Sequence, residues 1–450
     1  IFAVFKIETQ IKMKTQKMKF GMMVLAATLT VGTVSCNRKG CTDPTATNYD
    51  EKAKKDDGSC VLPDGPVQSN VVLTGTQTTD LTLDNTQVYE IQGKFVIEDG
   101  ATLTIPAGTI IKGAEGTGTL ASALVIAQGG NINAVGTASQ PIIFTSVLDN
   151  IQPGELTGTN LDEADKGLWG GLIVLGYAPI SAGDGDVVSQ IEGIPAGDTY
   201  GAFGGSDAAD NSGTISYVSI RHGGALIGAG NEINGLTLGG VGTGTTINNV
   251  EIVANLDDGI EFFGGTVNVT NLLVGFQGDD GVDIDMNYSG TVDNFIVISD
   301  AGSDEGLEID GPEGTTYTNG LFTLRNGSVY NFGGAGANGD FKSKAQGTIE
   351  NVSLGNAKIR ASYQNACVDP KTDAYTHLTN GSPTLVFTTS AFTGVTVYTA
   401  SDDGATPPIT CPVPATDQST AESSMTSTTA TGGSASGFAS WTWAGVNGKL

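Results

Sequence analysis

Between Arg221 and Arg325 the chain has no lysine and no arginine, although 16 residues of that stretch are aspartate or glutamate. Acids of this density cannot be balanced by local salt bridges if the fold brings them together. Histidine is nearly missing too, with only His222 and His377, and the five cysteines are not spaced as zinc ligands. A thiolate or imidazole metal site is therefore excluded. Basic residues are scarce throughout: 21 Lys and Arg stand against 48 Asp and Glu, a formal charge of −27. Such a field repels nucleic acid and anionic membrane. No amphipathic period of about 3.6 persists over a dozen residues after residue 60, so helices are expected to be few. After the first 34 residues no apolar run reaches the ~18 residues needed to span a bilayer. No nucleophile elbow occurs, and the "GGVGTG" run from Gly239 lacks the lysine and the following helix of a phosphate loop.

What is present is glycine, at 65 of 450 residues, and repetition. One phrase recurs as DDGIEF from Asp257, DDGVDID from Asp279 and DEGLEID from Asp304, with starts 22 and 25 residues apart. A second phrase carries one asparagine per copy: Asn249, Asn271, Asn294, Asn319 and Asn351. Apolar and polar residues alternate after each asparagine, as in strands with one face buried. A period of about 20–30 residues means coils that bury their apolar face only by stacking. The fixed leucine framework of a leucine-rich repeat is absent, and a propeller needs periods of about 40 or more. The fold class predicted is all-β, a parallel β-helix of roughly ten coils over residues 67–360. Segments 149–166 and 181–212 are expected to be acidic loop excursions. Residues 361–414 are expected to cap the solenoid, and 415–450 to form a Ser/Thr-rich flexible tail whose aromatic end, with Trp441 and Trp443, docks back.

In this arrangement Ile260, Phe262, Val282, Ile284, Leu307 and Ile309 point inward. Glu261, Asp283 and Glu308 then form one outward row, with Asp285 and Asp310 a partial second row. Neighbouring coils lie about 4.8 Å apart. Ionised carboxylates at that spacing repel by roughly 1 kcal/mol in water and 3–4 kcal/mol at an effective dielectric near 20. Raised pKa values, splaying into solvent or a bound divalent cation would relieve this. Hard oxygen donors without thiol or imidazole favour Ca²⁺. The candidate ligands are Asp257, Asp258, Glu261, Asp279, Asp280, Asp283, Asp285, Asp304, Glu305, Glu308 and Asp310. Three uses of these acids stay open: tight-corner residues bonding backbone, calcium-bound rows, or a catalytic carboxylate cluster. The asparagine row reads as a structural ladder, and Arg221 and His222 as structural residues of a strand end or corner.

The N-terminal region reads as an export leader over residues 1–35, with translation expected to begin at Met13 or Met18. Lys14, Lys17 and Lys19 precede an apolar run from Phe20 to Val34 and then Ser35-Cys36. This resembles a bacterial lipoprotein signal, which implies lipidation of Cys36 and an anchor at the outer membrane or cell surface. Thr33 departs from the aliphatic residue usual in that family. An ordinary cleaved leader with Cys36 free is the other reading. If Cys36 takes lipid, proximity pairs Cys41 with Cys60 and Cys367 with Cys411, as an oxidising compartment allows.

Two further resemblances follow from the residues. "CTDPTATNYDEKAKKDDGSC", from Cys41 to Cys60, resembles a small surface module of marine Bacteroidota-type bacteria, which places a tether over 36–66. "GATLTIPAGTIIKG", "GTASQPIIFTS", "LWGGLIVLG", "DDGIEFFGGTVN" and "DDGVDIDMNYSG" together resemble exported β-helix lipoproteins of the Bacteroidota and related Gram-negative bacteria. The resemblance implies a right-handed, pectin-lyase-like parallel β-helix over about residues 70–360, and no settled activity. An enzyme reading, a polysaccharide lyase or glycoside hydrolase, is the alternative. "GDD" at Gly278–Asp280 looks like part of the polygalacturonase signature, but no downstream Gly-His-Gly or Arg-Ile-Lys follows. The function expected is non-catalytic binding or adhesion to a glycan or surface protein, with structural Ca²⁺, by a monomer touching membrane through its lipid alone. A purely structural surface or matrix role is the third reading. Trp169, Tyr177, Tyr200, Phe203, Phe262, Phe263 and Tyr288 are the aromatics available as sugar platforms, with packing the commoner use.

Overall fold

The computed structural model describes residues 38–42, 48–55, 57–60, 70–183, 185–195, 197–227, 232–331, 338–365, 367–399 and 409–450. The leader, its start positions and Cys36 lie outside them. The chain forms two compact units, Ile1–Val67 and Gln68–Leu450. In the first, a Cys41–Cys60 disulfide closes a small loop and Arg38 pairs with Asp50 at 2.8 Å. Among the described residues no helix is long and apolar enough to cross a membrane.

The second unit is a right-handed parallel β-helix. Three columns of parallel strands run along it. The first column stacks Ala123–Ile126, Leu172–Leu175, Leu236–Gly239, Ile260–Phe263, Val282–Asp285, Leu307–Ile309, Gly339–Phe341, Asn356–Gln364 and Gly394–Thr399. The second and third columns begin as separate strands and then fuse. The first half of Gly213–Arg221 pairs with Asn131–Val135 and its second half with Ile142–Ser146. From there on, one bent strand per coil serves both columns.

The bend explains the asparagine period. Each fused strand turns at one left-handed residue: Tyr217, Asn249, Asn271, Asn294, Asn326 and Asn351, with φ from 49° to 58°. Asparagine tolerates that conformation better than other side-chain-bearing residues. Its amide also bonds along the axis: Asn271 donates to Asn249 at 3.0 Å, Asn294 to Asn271 at 2.7 Å and Asn351 to Asn326 at 2.8 Å. The rung assigned to Asn319 belongs to Asn326. The strand there is Phe322–Asn331, and Asp293 and Phe295 pair with Arg325 and Gly327.

Inside the coils, Ile260, Val282 and Leu307 stack in one file and Phe262, Ile284, Ile309 and Phe341 in the next, all fully buried. The helix also runs past residue 360. Leu385–Thr388 and Gly394–Thr399 add a further coil on Gly347–Ser353 and Asn356–Gln364. Two short helices, α1 (Ala374–Asn380) and α2 (Ala415–Ser424), lie against this last coil. Gln418 of α2 accepts from Val397 N at 2.9 Å and donates to Val395 O at 2.8 Å, occupying the open edge of the final strand. The Cys367–Cys411 disulfide ties this region together.

The segment expected to be a flexible tail is ordered. After α2 it runs back along the asparagine ladder, where Thr431 N donates to Asn351 at 2.7 Å and Ser434 N to Asn294 at 2.6 Å. Phe438, Trp441 and Trp443 then cover an outward apolar patch of Val253, Leu273, Phe276, Ile296 and Ile298. The last helix, α3 (Trp443–Val446), starts on the fully buried carboxylate of Glu251, which accepts from Trp443 N at 2.7 Å and Ala444 N at 2.8 Å.

Candidate metal centre

Each coil passes from the third column to the first through a short acidic corner. The corners stack: Gly259 N donates to Asp280 O and Gly281 N to Glu305 O, both at 2.9 Å. Glycine is required at the exit. A Cβ on Gly259 would lie 2.2 Å from Val274 and one on Gly281 2.5 Å from Val297. Two corner carboxylates, Asp258 and Asp280, also bond backbone on the next coil rather than their own. Asp258 Oδ1 accepts from Asp280 N at 2.9 Å, and Asp280 Oδ1 from Glu305 N at 2.6 Å. Asp279 and Asp304 stand exposed beside them, and Asp257 is half-buried.

Beyond the corner, strand register sets the acids in file. Glu261 pairs with Asp283, Asp283 with Glu308, Glu308 with Asp340 and Asp340 with Lys358. The row of Glu261, Asp283 and Glu308 is therefore one column, which continues into two residues that the repeat phrase does not contain. Asp285 follows in the same strand beside Phe263, and Asp310 comes one residue after the pair Ile284–Ile309.

Two expectations need correction. The acids were expected to point outward, with splaying into solvent as one way to relieve their repulsion. They do point away from the core, yet Glu261 is only 6 % and Asp283 only 9 % exposed. Glu192, Glu232 and Asn234, from chain outside the acidic phrase, line the same pocket. Asn234 Nδ2 donates to Glu261 and, at 3.4 Å, to Glu192. The acids were also expected to lack a side-chain cation. Lys342 pairs with Glu308 and reaches Asp310 at 4.0 Å, and Lys358 pairs with Glu305 and reaches Asp340 at 3.9 Å. Glu305, Glu308 and Asp310 therefore already have a cation.

The lower part of the column has none. Ligand oxygens of Asp258, Glu261 and Asp283 lie within 4.8 Å of one another, as do those of Asp257, Asp258 and Asp279, with Asp258 common to both sets. Among the described residues no lysine, arginine or histidine forms an ion pair with any of these five. Burial, and then the neighbouring carboxylates, hold Asp258, Glu261 and Asp283 well above the usual carboxylate range. Burial first and Glu192 second push Asp257 up to about 7, and burial with Asp279 pushes Asp280 up to about 8. Asp285 is pushed up to about 7 by burial and then by Asp310. Asp283 Oδ1 and Asn234 Oδ1 are buried without a hydrogen-bond partner.

Residues 75–446 match the family described as the pectate-lyase-like β-helix domain. This chain belongs to that family. No curated protein sequence matches it. Among solved structures, the pectin methylesterase from Aspergillus niger matches in two forms. The penultimately deglycosylated form is 11% identical, with 80% of this chain and 96% of that chain covered, at a TM-score of 0.24. The deglycosylated form is 11% identical, with 78% and 97% covered, at 0.24. Likeness at that level carries no argument about this pectate-lyase-like β-helix, whose chemistry must be read from its own side chains.

The cavity above the lower column has a volume of about 180 Å³. Its donors are carboxylate and amide oxygens alone, a hard set that suits Ca²⁺. A wider open pocket of about 300 Å³ lies between Lys94, Thr119, Ile194 and Tyr200. Burial pushes the Lys94 ammonium down to about 8. Of the aromatics considered as sugar platforms, Trp169, Phe203, Phe262, Phe263 and Tyr288 are buried in packing, which leaves Tyr177 exposed and Tyr200 half-buried. Arg221 is fully buried, donates to Ser219 Oγ at 2.7 Å and lies 3.9 Å from Glu251. The His222 ring bonds Asp165 O at 2.7 Å.

Glu192 and Asn234 were not picked out in the sequence. Glu192 belongs to no repeat and sits 69 positions before Glu261, whereas Asn234 holds the repeat position of Asp258 one coil earlier, with an amide in place of the acid. The only signal for Glu192 was the general acidity of segment 181–212.

Proposed function

We propose that this pectate-lyase-like β-helix is an exported surface protein, lipid-anchored through Cys36, that binds a glycan or a surface protein without cutting it and holds Ca²⁺ as part of its fold. One observation carries the reading: Asp258, Glu261 and Asp283, each nine-tenths buried or more, line one small pocket, and among the described residues no base and no cation stands between them. A lyase acting on acidic sugars needs a lysine or arginine base. The nearest lysines, Lys342 and Lys358, are engaged with Glu308 and Glu305. A retaining hydrolase needs two carboxyls about 5–5.5 Å apart with room for a sugar ring between them. The oxygens of Asp258, Glu261 and Asp283 lie within 4.8 Å of one another, and about 180 Å³ is short of the roughly 300–1,000 Å³ of a small-molecule site. The space suits an ion with its waters. Any small ligand fits better in the wider pocket beside Tyr200.

The test is a polysaccharide panel with purified protein, run with Ca²⁺ and with chelator. Retention on one or more glycans with no new reducing ends and no unsaturated-uronate absorbance is expected. Turnover of any member would replace this reading with the enzyme one.

A further inference from the structure

Along one column the chain meets the same electrostatic problem several times and solves it in two ways. On the upper coils lysine neutralises the acids: Lys342 at Glu308 and Asp310, Lys358 at Glu305 and Asp340. On the lower coils no lysine among the described residues pairs with Asp257, Asp258, Glu261, Asp279 or Asp283. Glu192 arrives instead from the 181–212 excursion, and Asn234 stands at the corner of the preceding coil, in the register position that Asp258 holds on the next. Adding Glu192 to Asp258, Glu261 and Asp283 worsens the repulsion unless a cation lies among them.

Asn234 shows where that cation belongs. It is 1 % exposed, it touches both Glu261 and Glu192 through Nδ2, and its Oδ1 has no partner. A half-turn of the amide exchanges the two atoms and presents the oxygen to the carboxylates. An amide nitrogen toward bare carboxylates, or an amide oxygen toward a cation they enclose, is the expected alternation. Asp283, whose Oδ1 is also buried and unpartnered, lines the same pocket.

We infer that Glu192 and Asn234 complete a calcium site with Asp258, Glu261 and Asp283, so that the ion fastens the excursion around Glu192 to the acidic column. The inference rests on the calcium reading given above. Five protein oxygens plus water in the remaining space meet the 6–8 oxygen ligands that Ca²⁺ takes in flexible geometry. The excursion is built to respond. Ile191 and Ile194 flank Glu192 and are buried, and Ile233 beside Asn234 packs in the same cluster. The excursion's base is fixed by Phe203, which is fully buried and packs edge-on to Phe263 at 5.9 Å. Its antiparallel pair, Ser189–Gln190 with Ala202–Phe203, is only two residues long. Between that short pair and the column, Glu192 is the charged link.

Calorimetric titration with CaCl₂, paired with amide hydrogen exchange over residues 189–203, tests this on the chelator-stripped protein, Glu192→Gln and Asn234→Ala. Glu192→Gln is nearly isosteric, and circular dichroism establishes that each variant is folded. Wild type should bind Ca²⁺, and its amides around Glu192 should then exchange at least tenfold more slowly. Glu192→Gln should bind at least tenfold more weakly and lose the Ca²⁺-dependent protection while remaining folded. Undiminished Ca²⁺ binding by Glu192→Gln, or unchanged exchange in calcium-saturated wild type, would overturn the inference and leave the calcium reading standing. No Ca²⁺ binding by wild type would overturn both.

Discussion

Asp258 combines two roles through its two oxygens. One accepts the Asp280 amide of the next coil, and the residue's carboxylate also joins both acidic triads. An asparagine at this position keeps the acceptor and removes the charge. At pH 8.5 in chelator, Asp258→Asn is therefore expected to raise unfolding free energy by about 1–3 kcal/mol, the scale of one carboxylate repulsion at this spacing. It should also weaken Ca²⁺ binding at least tenfold. Asp258→Ala leaves the Asp280 amide buried without its partner, so it should be about 1–3 kcal/mol less stable than Asp258→Asn. Denaturant unfolding of the three proteins, with and without Ca²⁺, separates the roles. The corner aspartates were legible in sequence because Asp-Asp-Gly repeats with the coil. Their partner was not, because the bond crosses to the next coil. The asparagine ladder was equally legible except at one rung. An excursion of unknown length between Ile309 and Phe322 hid which asparagine, 319 or 326, sits at the left-handed bend.

The C-terminal strap shows how far an element can be read from composition. Trp441 and Trp443 announced themselves as too apolar to leave in water. The helix α2 did not, because ATDQSTAESS has neither strong propensity nor an apolar stripe. It forms because tertiary contacts override weak propensity. Ala421 and the adjoining Met425 are buried in the main core cluster, and Gln418 occupies the last strand's edge. The strap's hold depends on Trp441, fully buried and 5.4 Å from Tyr217, and on Glu251, which receives the start of α3. Trp441→Ala should cost about 3–5 kcal/mol, as for other large buried aromatics. Glu251→Ala should cost a similar amount for a different reason. It leaves the buried guanidinium of Arg221 without its carboxylate and two amides without an acceptor. Thermal unfolding should show both losses, and sedimentation of Trp441→Ala should show association through the uncovered apolar patch. An unchanged melting temperature in both variants would mean that the strap is not docked in solution.

At the scale of the whole molecule, the acidic columns set how stability responds to pH. The stacking of Glu261, Asp283 and Glu308 followed from the recurring phrase, because the same position of each copy comes into vertical register in a solenoid even where the spacing differs by a few residues. Their burial did not, since it depends on excursions that fold over the column from distant chain. That burial fixes a sign. Asp310 and Asp340 are pushed up to about 6, Asp257 and Asp285 to about 7 and Asp280 to about 8, in each case chiefly by burial. The same residues in the unfolded chain titrate near 3.9. Between those limits the folded state binds more protons than the unfolded state, so unfolding free energy falls as pH rises. These groups should therefore stabilise the chelated protein fully at about pH 4 and below, and lose that contribution progressively to about pH 8. Acid, which unfolds most proteins, should here protect the metal-free fold. Saturating Ca²⁺ binds the ionised form and competes with protons, so its stabilisation should grow over the same interval and flatten or reverse the slope. Melting temperatures at pH 5 and pH 8, each with chelator and with Ca²⁺, decide the matter. A chelated protein that melts higher at pH 8 than at pH 5 would mean that these carboxylates are ionised and already satisfied without a cation. The electrostatic account of the column would then fail at its first step.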